Sequence, residues 1–444
     1  MRAAVVVALL AIVGNLTALL RDAVVARRFG LGDQLDAYLT ALLLPTVGIG
    51  VISGSLTVAL LPVYVRVRER DGHAAATELI ARSLGRAMTT LVLVAFAVAV
   101  LSPVILPWLA PGFPPAKLLL VRHLLYLLLP SLVLSGMSAL WTAVLNAGER
   151  FVMPALAPIA VPLSTLAAVL AFPRAGVHAL AAGTTVGFGV AAVLVGTALW
   201  RTGLSPIPRF RGMTPAVQSV FDEYWPMVIG ALFMSGTNLV DQAMAAMLGS
   251  GSVSALGLGG KLTSAAAGVA SVAVGAAVFP PLSRWVASED WRGLARGYRQ
   301  YTLLVLALGV VAAGILTLGA RSLVEVVFEG RAFGQEEVRR VAAVQGFLAW
   351  QLPSAAAGLI GARLLSALGR NRVLMAIAGV NLFVNAAGNL VLMRVFGLAG
   401  IALATSVTYL ISFAAITAVV QRELGRRALA PAPPSIAPSL SSVS

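Results

Sequence analysis

Long apolar runs separated by short polar breaks dominate the chain. Twelve runs are long enough for the roughly 20 helical residues that cross a bilayer, at about 3–28, 35–65, 82–109, 117–146, 151–172, 177–201, 222–249, 254–286, 298–320, 337–367, 372–395 and 398–421. This pattern predicts an all-α polytopic membrane protein with twelve transmembrane helices. The stretch Leu19–Arg70 breaks the rule that spans avoid charge and helix breakers. Arg21 and Asp22 lie inside the first run, Asp36 opens the second, and Pro45, Gly48, Gly50 and Gly54 loosen it. An intramembrane charge costs roughly 2.5–3.5 kcal/mol on insertion scales, so it normally faces a bundle interior or a hydrated cavity. Loosened backbone at membrane depth needs the same surroundings. The two runs therefore predict one wall of a polar cavity.

Composition supports that class. The chain is 59% hydrophobic and 11% charged, with a mean hydropathy of +0.93. Its formal net charge of +15 reflects 17 acids against 32 bases rather than a dense basic run, which argues against nucleic acid and for loops facing anionic lipid. With 0 Cys and 3 scattered His, disulfides are excluded and neither a zinc site nor a catalytic triad is expected. The first run is expected to remain as a span rather than a cleaved leader. Loops on one side would hold Arg66, Arg68, Arg70, Arg82, Arg86, Arg150, Arg201, Arg209, Arg211, Arg284, Arg292, Arg296, Arg299, Arg370 and Arg372, and the termini add Arg2, Arg422, Arg426 and Arg427. The other side holds fewer: Arg27, Arg28, Lys117, Arg174, Arg321, Arg331, Arg339, Arg340 and Arg394. This bias places both termini in the cytoplasm.

The chain also repeats itself. RDAVVARRFG ending at Gly30 is similar to VDQAMAAMLG ending at Gly249, the stretch around Pro62 to that around Pro280, and that around Gly148 to that around Gly369. The three offsets nearly agree and lie close to half the chain, which predicts two six-helix lobes around a central cavity. Six is even, so both lobes insert in the same sense, a pair suited to rocking about a shared cavity. The expected division is an N-lobe at 1–201, a cytoplasmic linker at 202–221, a C-lobe at 222–421 and a disordered tail at 422–444.

Few residues carry candidate chemistry. Gly14, Thr17, Arg21 and Arg28 share one helical stripe, which would aim Arg21 into the cavity as an anion ligand; the alternatives are a pair with Asp22 or snorkelling to the surface. Lys261 is the second lobe's candidate cation. Asp241, repeat mate of Asp22, and Asn238 form an intramembrane polar pair, read either as a proton or sodium site or as a carboxylate locked to Lys261 or Arg21. Asn381, Asn385 and Asn389 form a stripe that would glue helices. Glu149 and Arg150 mark a turn that reads as a cytoplasmic gate, a lipid-facing site or a solvated loop. LGLGGK ending at Lys261 lacks the hydroxyl that follows the lysine of a phosphate loop and is read as close helix packing.

The stretches RDAVVARRFG with DAY, APGF, LNAGERFVMPALAP, SGSVS, FPPLSRW, VFEGRAFGQEEV and GLAGIALATS resemble, in order, those of the MurJ (MviN) lipid II flippase family, within the multidrug/oligosaccharidyl-lipid/polysaccharide exporter superfamily. The resemblance implies a V-shaped bundle that flips a polyprenyl-pyrophosphate-linked sugar by alternating access. It matches the family's cavity arginine with Arg21 and its second-helix aspartate with Asp36. Another first-helix arginine of the family is replaced by Asn15, the paired arginines of its second helix by Ile49 and Gly50, and an acidic turn residue by Gly54. The Ala-Asp-Arg of its eighth helix falls on Gly259, Gly260 and Lys261. With twelve segments, the sequence is expected to lack two further helices that often complete the family.

The expectation is thus a non-enzymatic flippase of the bacterial cytoplasmic membrane, moving lipid II or a related anionic lipid-linked glycan outward. Arg21, Asp36, Lys261 and Asn15 would line its cavity, and no cofactor is expected beyond H+ or Na+ coupling or the membrane potential. Expected partners are the lipid-linked glycan, anionic membrane lipids and cell-wall synthesis proteins, with no nucleic acid and a monomeric state. The alternatives are a cation-coupled multidrug antiporter and a transport-inactive scaffold for cell-wall assembly.

Overall fold

The computed structural model describes residues 2–429 apart from 211 and 213. Among them the chain is helical throughout, with one isolated antiparallel bridge, Gly330 to Phe333. The first half contains α1 (Arg2–Phe29), α2 (Asp33–Gly48), α3 (Gly54–Arg70), α4 (Gly72–Leu109), α5 (Pro115–Ala147), α6 (Val152–Leu156), α7 (Ala160–Ala171) and α8 (Val177–Trp200). The second contains α9 (Pro215–Ala246), α10 (Ser252–Ala277), α11 (Phe279–Ala287), α12 (Trp291–Leu318), α13 (Ala320–Phe328), α14 (Gln335–Ala349), α15 (Gln351–Ala367), α16 (Asn371–Phe396) and α17 (Leu398–Leu429). Among the described residues, 10 helical segments are long and apolar enough to cross a membrane. The α9 helix and the broken pair α14–α15 complete the twelve crossings that the hydrophobic pattern predicts.

Breaks fall where backbone chemistry requires them. Pro45 sits inside α2 and is followed by a π-helical turn, Ile49–Ser53. A proline removes one ladder hydrogen bond and its ring crowds the preceding turn, and a π-bulge absorbs such a fault. Gly50 and Gly54 have no atom within 4 Å of where a Cβ would stand, so this loosened stretch borders open space. Val278 separates α10 from α11 just before Pro280 and Pro281.

The repeat is written in the backbone. Gly176 before α8 and Gly397 before α17 share one conformation, φ 57 with ψ −134 and −133. The α5 helix ends in a turn where the Arg150 N–H donates to Leu145 O at 2.9 Å, and the α15 helix in one where Arg370 N–H donates to Leu365 O at 2.8 Å. The left-handed position of that turn is Glu149 in the first half and Gly369 in the second.

Two expected boundaries move. The expected linker 202–221 is helical from Pro215, because the Thr214 hydroxyl caps the helix by accepting from Val217 N–H and Pro215 occupies its first turn. The tail expected from 422 remains helical to Leu429, and residues 430–444 lie outside the described residues. The α9 helix also belongs to neither half alone. Val217, Val220, Tyr224 and Val228 pack in one core with Leu56, Leu60 and Leu84 of the first half, while Gly230 and Gly236 abut Met375 and Leu382 of α16.

Candidate functional site

One end of the bundle collects the turns at Gly30, Gly112, Gly176, Gly251 and Gly330, and here the halves are locked. Gly30 adopts φ +62 against the Ala332 backbone, and Gly112 lies against Ala246. Ala332 N–H donates to Arg27 O at 3.2 Å, and Arg27 donates to Val326 O at 3.0 Å. The centre of the lock is Asp36, which is 0% exposed. One of its carboxylate oxygens accepts from Ser254 N–H and Ser254 Oγ, both at 2.8 Å; the other accepts from Gly251 N–H at 2.8 Å and from Lys117 Nζ at 2.9 Å. Lys117 also reaches Asp33 at 2.8 Å and lies 3.6 Å from the centre of the Phe113 ring. The first N–H groups of α10 have no carbonyl partner within their own helix and carry the positive end of its dipole, so a carboxylate is the natural group to meet them.

Asp36 is therefore a latch rather than a cavity ligand, a correction to the expected site. Lys117, counted among the cations of that side, lies in the first turn of α5 beneath that latch. The charge that sequence alone reads as a cavity acid is consumed by four donors that tertiary packing brings to it.

Further along α1, Arg21 donates from Nε and Nη2 to Asp22 Oδ1 at 2.9 and 2.6 Å. The other Asp22 oxygen lies 3.2 Å from Lys261 Nζ on α10. Side-chain exposures of 17%, 12% and 39% for Arg21, Asp22 and Lys261 leave the lysine the most open of the three. The triad carries one surplus positive charge and bridges the halves. Beyond Lys261, α10 residues Ser264, Ala265, Gly268, Val269 and Val272 are exposed, and Gly268 has nothing within 4 Å of a notional Cβ. The triad thus sits where the locked end gives way to open space. The rest of the expected stripe points elsewhere: Gly14 packs on Ile159, and Arg28 donates to the Val169 and Pro173 carbonyls at the end of α7. Its seven-residue spacing keeps these residues on one helical face, but the turn Ala157–Ile159 ahead of α7 and the end of α7 cover the two ends of that face.

Asp241 is not locked to Lys261 or Arg21, a second correction. Its oxygens accept from Asn389 Nδ2 at 2.7 Å and Thr405 Oγ1 at 2.9 Å, and among the described residues it has no ion-pair partner. Asn389 also donates weakly to Asn385 Oδ1 at 3.4 Å, leaving Asn385 Nδ2 and Asn389 Oδ1 buried without partners. Asn385 and Thr405 line a cavity of about 280 Å³ between α9, α15, α16 and α17, walled by Phe233, Met234 and Tyr409. Spare oxygens around a buried, unpaired carboxylate make a place for a small cation. The Asn stripe does part of the expected gluing, since Asn381 donates to Ser412 at 3.0 Å. Thr405 is the member that sequence reasoning missed; a hydroxyl in an apolar helix gives no signal until its partner is known.

The remaining candidates stay apart. Asn15 and Asn238 are exposed on α1 and α9 and join neither cluster. Glu149 and Arg150 are exposed at the turn after α5, where they line a cleft with Arg201. Neither makes a side-chain hydrogen bond or ion pair with the second half among the described residues.

Comparison with known proteins places this arrangement. The family described as lipid II flippase MurJ matches residues 25–439. A probable lipid II flippase MurJ of Thermotoga maritima is 26% identical over 415 residues, covering 91% of this chain and 82% of the relative. One of Bdellovibrio bacteriovorus is 28% identical over 376 residues, covering 81% and 70%. Among solved structures, lipid II flippase MurJ in an inward closed conformation superposes with a TM-score of 0.81 at 16% identity, covering 96% of this chain and 90% of that one. An inward-facing multidrug resistance MATE family transporter gives 0.77 at 12%, covering 93% and 95%. At such identities the structural likeness shows the fold alone.

Proposed function

The chain belongs to the lipid II flippase MurJ family, and from that premise we propose that it carries a polyprenyl-pyrophosphate-linked glycan, lipid II or a related cell-envelope precursor, from the inner to the outer leaflet by alternating access. It is a multi-pass membrane protein, placed by this reading in the bacterial cytoplasmic membrane with both termini inside, because Arg66, Arg68, Arg70, Arg201 and Arg370 lie at the end opposite Gly30. No bond-making or bond-breaking is proposed.

The observation that carries the reading is the Arg21–Asp22–Lys261 triad, a site with surplus positive charge at the boundary between locked and open ends. A pyrophosphate cannot enter hydrocarbon unaided. A guanidinium and an ammonium held by one carboxylate supply fixed charge without a rearrangement each time cargo arrives. Arg21 lies beside Asp22 in sequence and donates twice to it, whereas Lys261 is held once and is more exposed. Lys261 is thus the cation freer to turn toward a phosphate. With the Asp36 latch closed, access is from the Arg70 end, an inward-facing state. Resetting the carrier needs a driving force, and the Asp241, Asn385, Asn389 and Thr405 oxygens suit a coupled H+ or Na+.

Flipping of fluorescent polyprenyl-pyrophosphate sugars in vesicles containing the full chain tests this reading. Arg21→Ala and Lys261→Ala should each abolish it; unchanged rates would remove the proposed anion site. The aromatic and methionine walls of the cavity above Asp241 favour one second reading, exchange of an organic cation against H+ or Na+. Cation-stimulated ion flux in vesicles that flip no lipid would select it.

A further inference from the structure

The two repeats end their sixth helices differently, and the difference exposes a site. In the second half, Arg370 follows the left-handed turn at Gly369 and pairs with Glu423 near the end of α17 at 2.9 Å, with the Glu423 side chain only 11% exposed. The backbone match of Gly176 with Gly397 carries Glu423 onto Thr202, and the matching turns carry Arg370 onto Arg150. The first half thus keeps the arginine and lacks its acid. Arg201, beside Thr202, adds a second guanidinium to the same place. Both arginines line a cleft of about 520 Å³ between the α5–α6 turn and the end of α8, and neither has a carboxylate within 4 Å among the described residues. Glu149 also lines the cleft, unpaired, which leaves one surplus positive charge there. The apolar lining includes Phe151 and Val152, exposed at 38% and 45%.

We propose that the Arg150–Arg201 cleft binds the phosphodiester headgroup of an anionic membrane phospholipid at the Arg70-side boundary, the second half's equivalent being closed by its own Arg370–Glu423 pair. Guanidinium forks match phosphate oxygens, an unpaired cation pair draws an anion from a negatively charged leaflet, and Phe151 and Val152 give the adjoining acyl chain an apolar surface. A dissolved anion would gain nothing from that surface, which is why a lipid is the occupant. The site is independent of the cargo reading, since it needs only a bilayer.

Native mass spectrometry of the full chain, exchanged between phosphatidylglycerol and phosphatidylcholine, tests the assignment. The unmodified chain should retain phosphatidylglycerol preferentially. Arg150→Gln with Arg201→Gln should reduce that retention roughly tenfold. Thr202→Glu, which supplies the acid that the second half already has, should reduce it comparably while keeping both arginines and the melting temperature. Retention of phosphatidylglycerol by both variants, or equal retention of phosphatidylcholine by the unmodified chain, would overturn the site. Complete displacement by millimolar inorganic phosphate would overturn its assignment to a lipid.

Discussion

The Asp22 carboxylate of α1 and the Lys261 ammonium of α10 meet at 3.2 Å across the junction of the two halves, while the other Asp22 oxygen holds Arg21 at 2.6 Å. One acid therefore orders both cations of the candidate anion site, and removing it differs from removing either cation. Asp22→Asn should leave two like charges without their shared partner and lower stability by about 1.5–3 kcal/mol, the range for hydrogen bonds to charged groups. Thermal unfolding in detergent measures this, and Lys261→Gln, which removes the more exposed member, should cost clearly less.

The Asp36 latch predicts a shift in conformation. Asp36→Asn replaces one acceptor oxygen by a donor, so either the Lys117 and Gly251 donors or the Ser254 N–H and hydroxyl lose their shared oxygen, and Asp33 is left as the one carboxylate beside buried Lys117. The halves should part more often at the Gly30 end. Because the chain has 0 Cys, a single cysteine at Ala246, which is 1% exposed and packed against Gly112, reports the opening without background. Its labelling by an impermeant maleimide should quicken roughly tenfold, equivalent to about 1.4 kcal/mol.

The Asp241 cluster predicts a stabilising cation. Sodium chloride should raise the melting temperature above that in choline chloride by an amount that grows with concentration, as for any ligand that binds only the folded state. Asp241→Asn and Asn389→Ala should each remove the difference. Equal melting temperatures in the two salts for the unmodified chain would exclude sodium and leave the proton.

Gly30 predicts a local stability penalty. Its φ of +62 and its packing against Ala332 O leave no room for a Cβ. Gly30→Ala should cost at least about 1–2 kcal/mol from the left-handed backbone alone, with further loss from displacing the turn after Gly330. Gly203, at φ +82 with nothing within 4 Å, separates the two causes: Gly203→Ala should show only the backbone contribution.

Much of this molecule was legible before its fold. Helices at membrane depth must be apolar along their length, so their number and order are visible in composition, and proline and glycine mark where α2 gives way to a π turn because they act on their own backbone. The repeat was legible because each turn is specified by a few local residues. The partners of the charges were not. Asp36 and Asp241 look alike as lone intramembrane acids; one is enclosed by the first turn of α10 and Lys117, the other by Asn389 and Thr405.

By itself the sequence determined which segments cross the membrane, that they form two similar sets, and which residues are too polar to face lipid. Only the tertiary structure decided that Asp36 latches, that Asp22 is shared between Arg21 and Lys261, and that Arg150 lacks the acid its repeat mate has. The physical reason is range: hydrophobicity and backbone preference act along a few neighbouring residues. A hydrogen bond forms within about 3 Å, between groups whose meeting depends on how every helix packs.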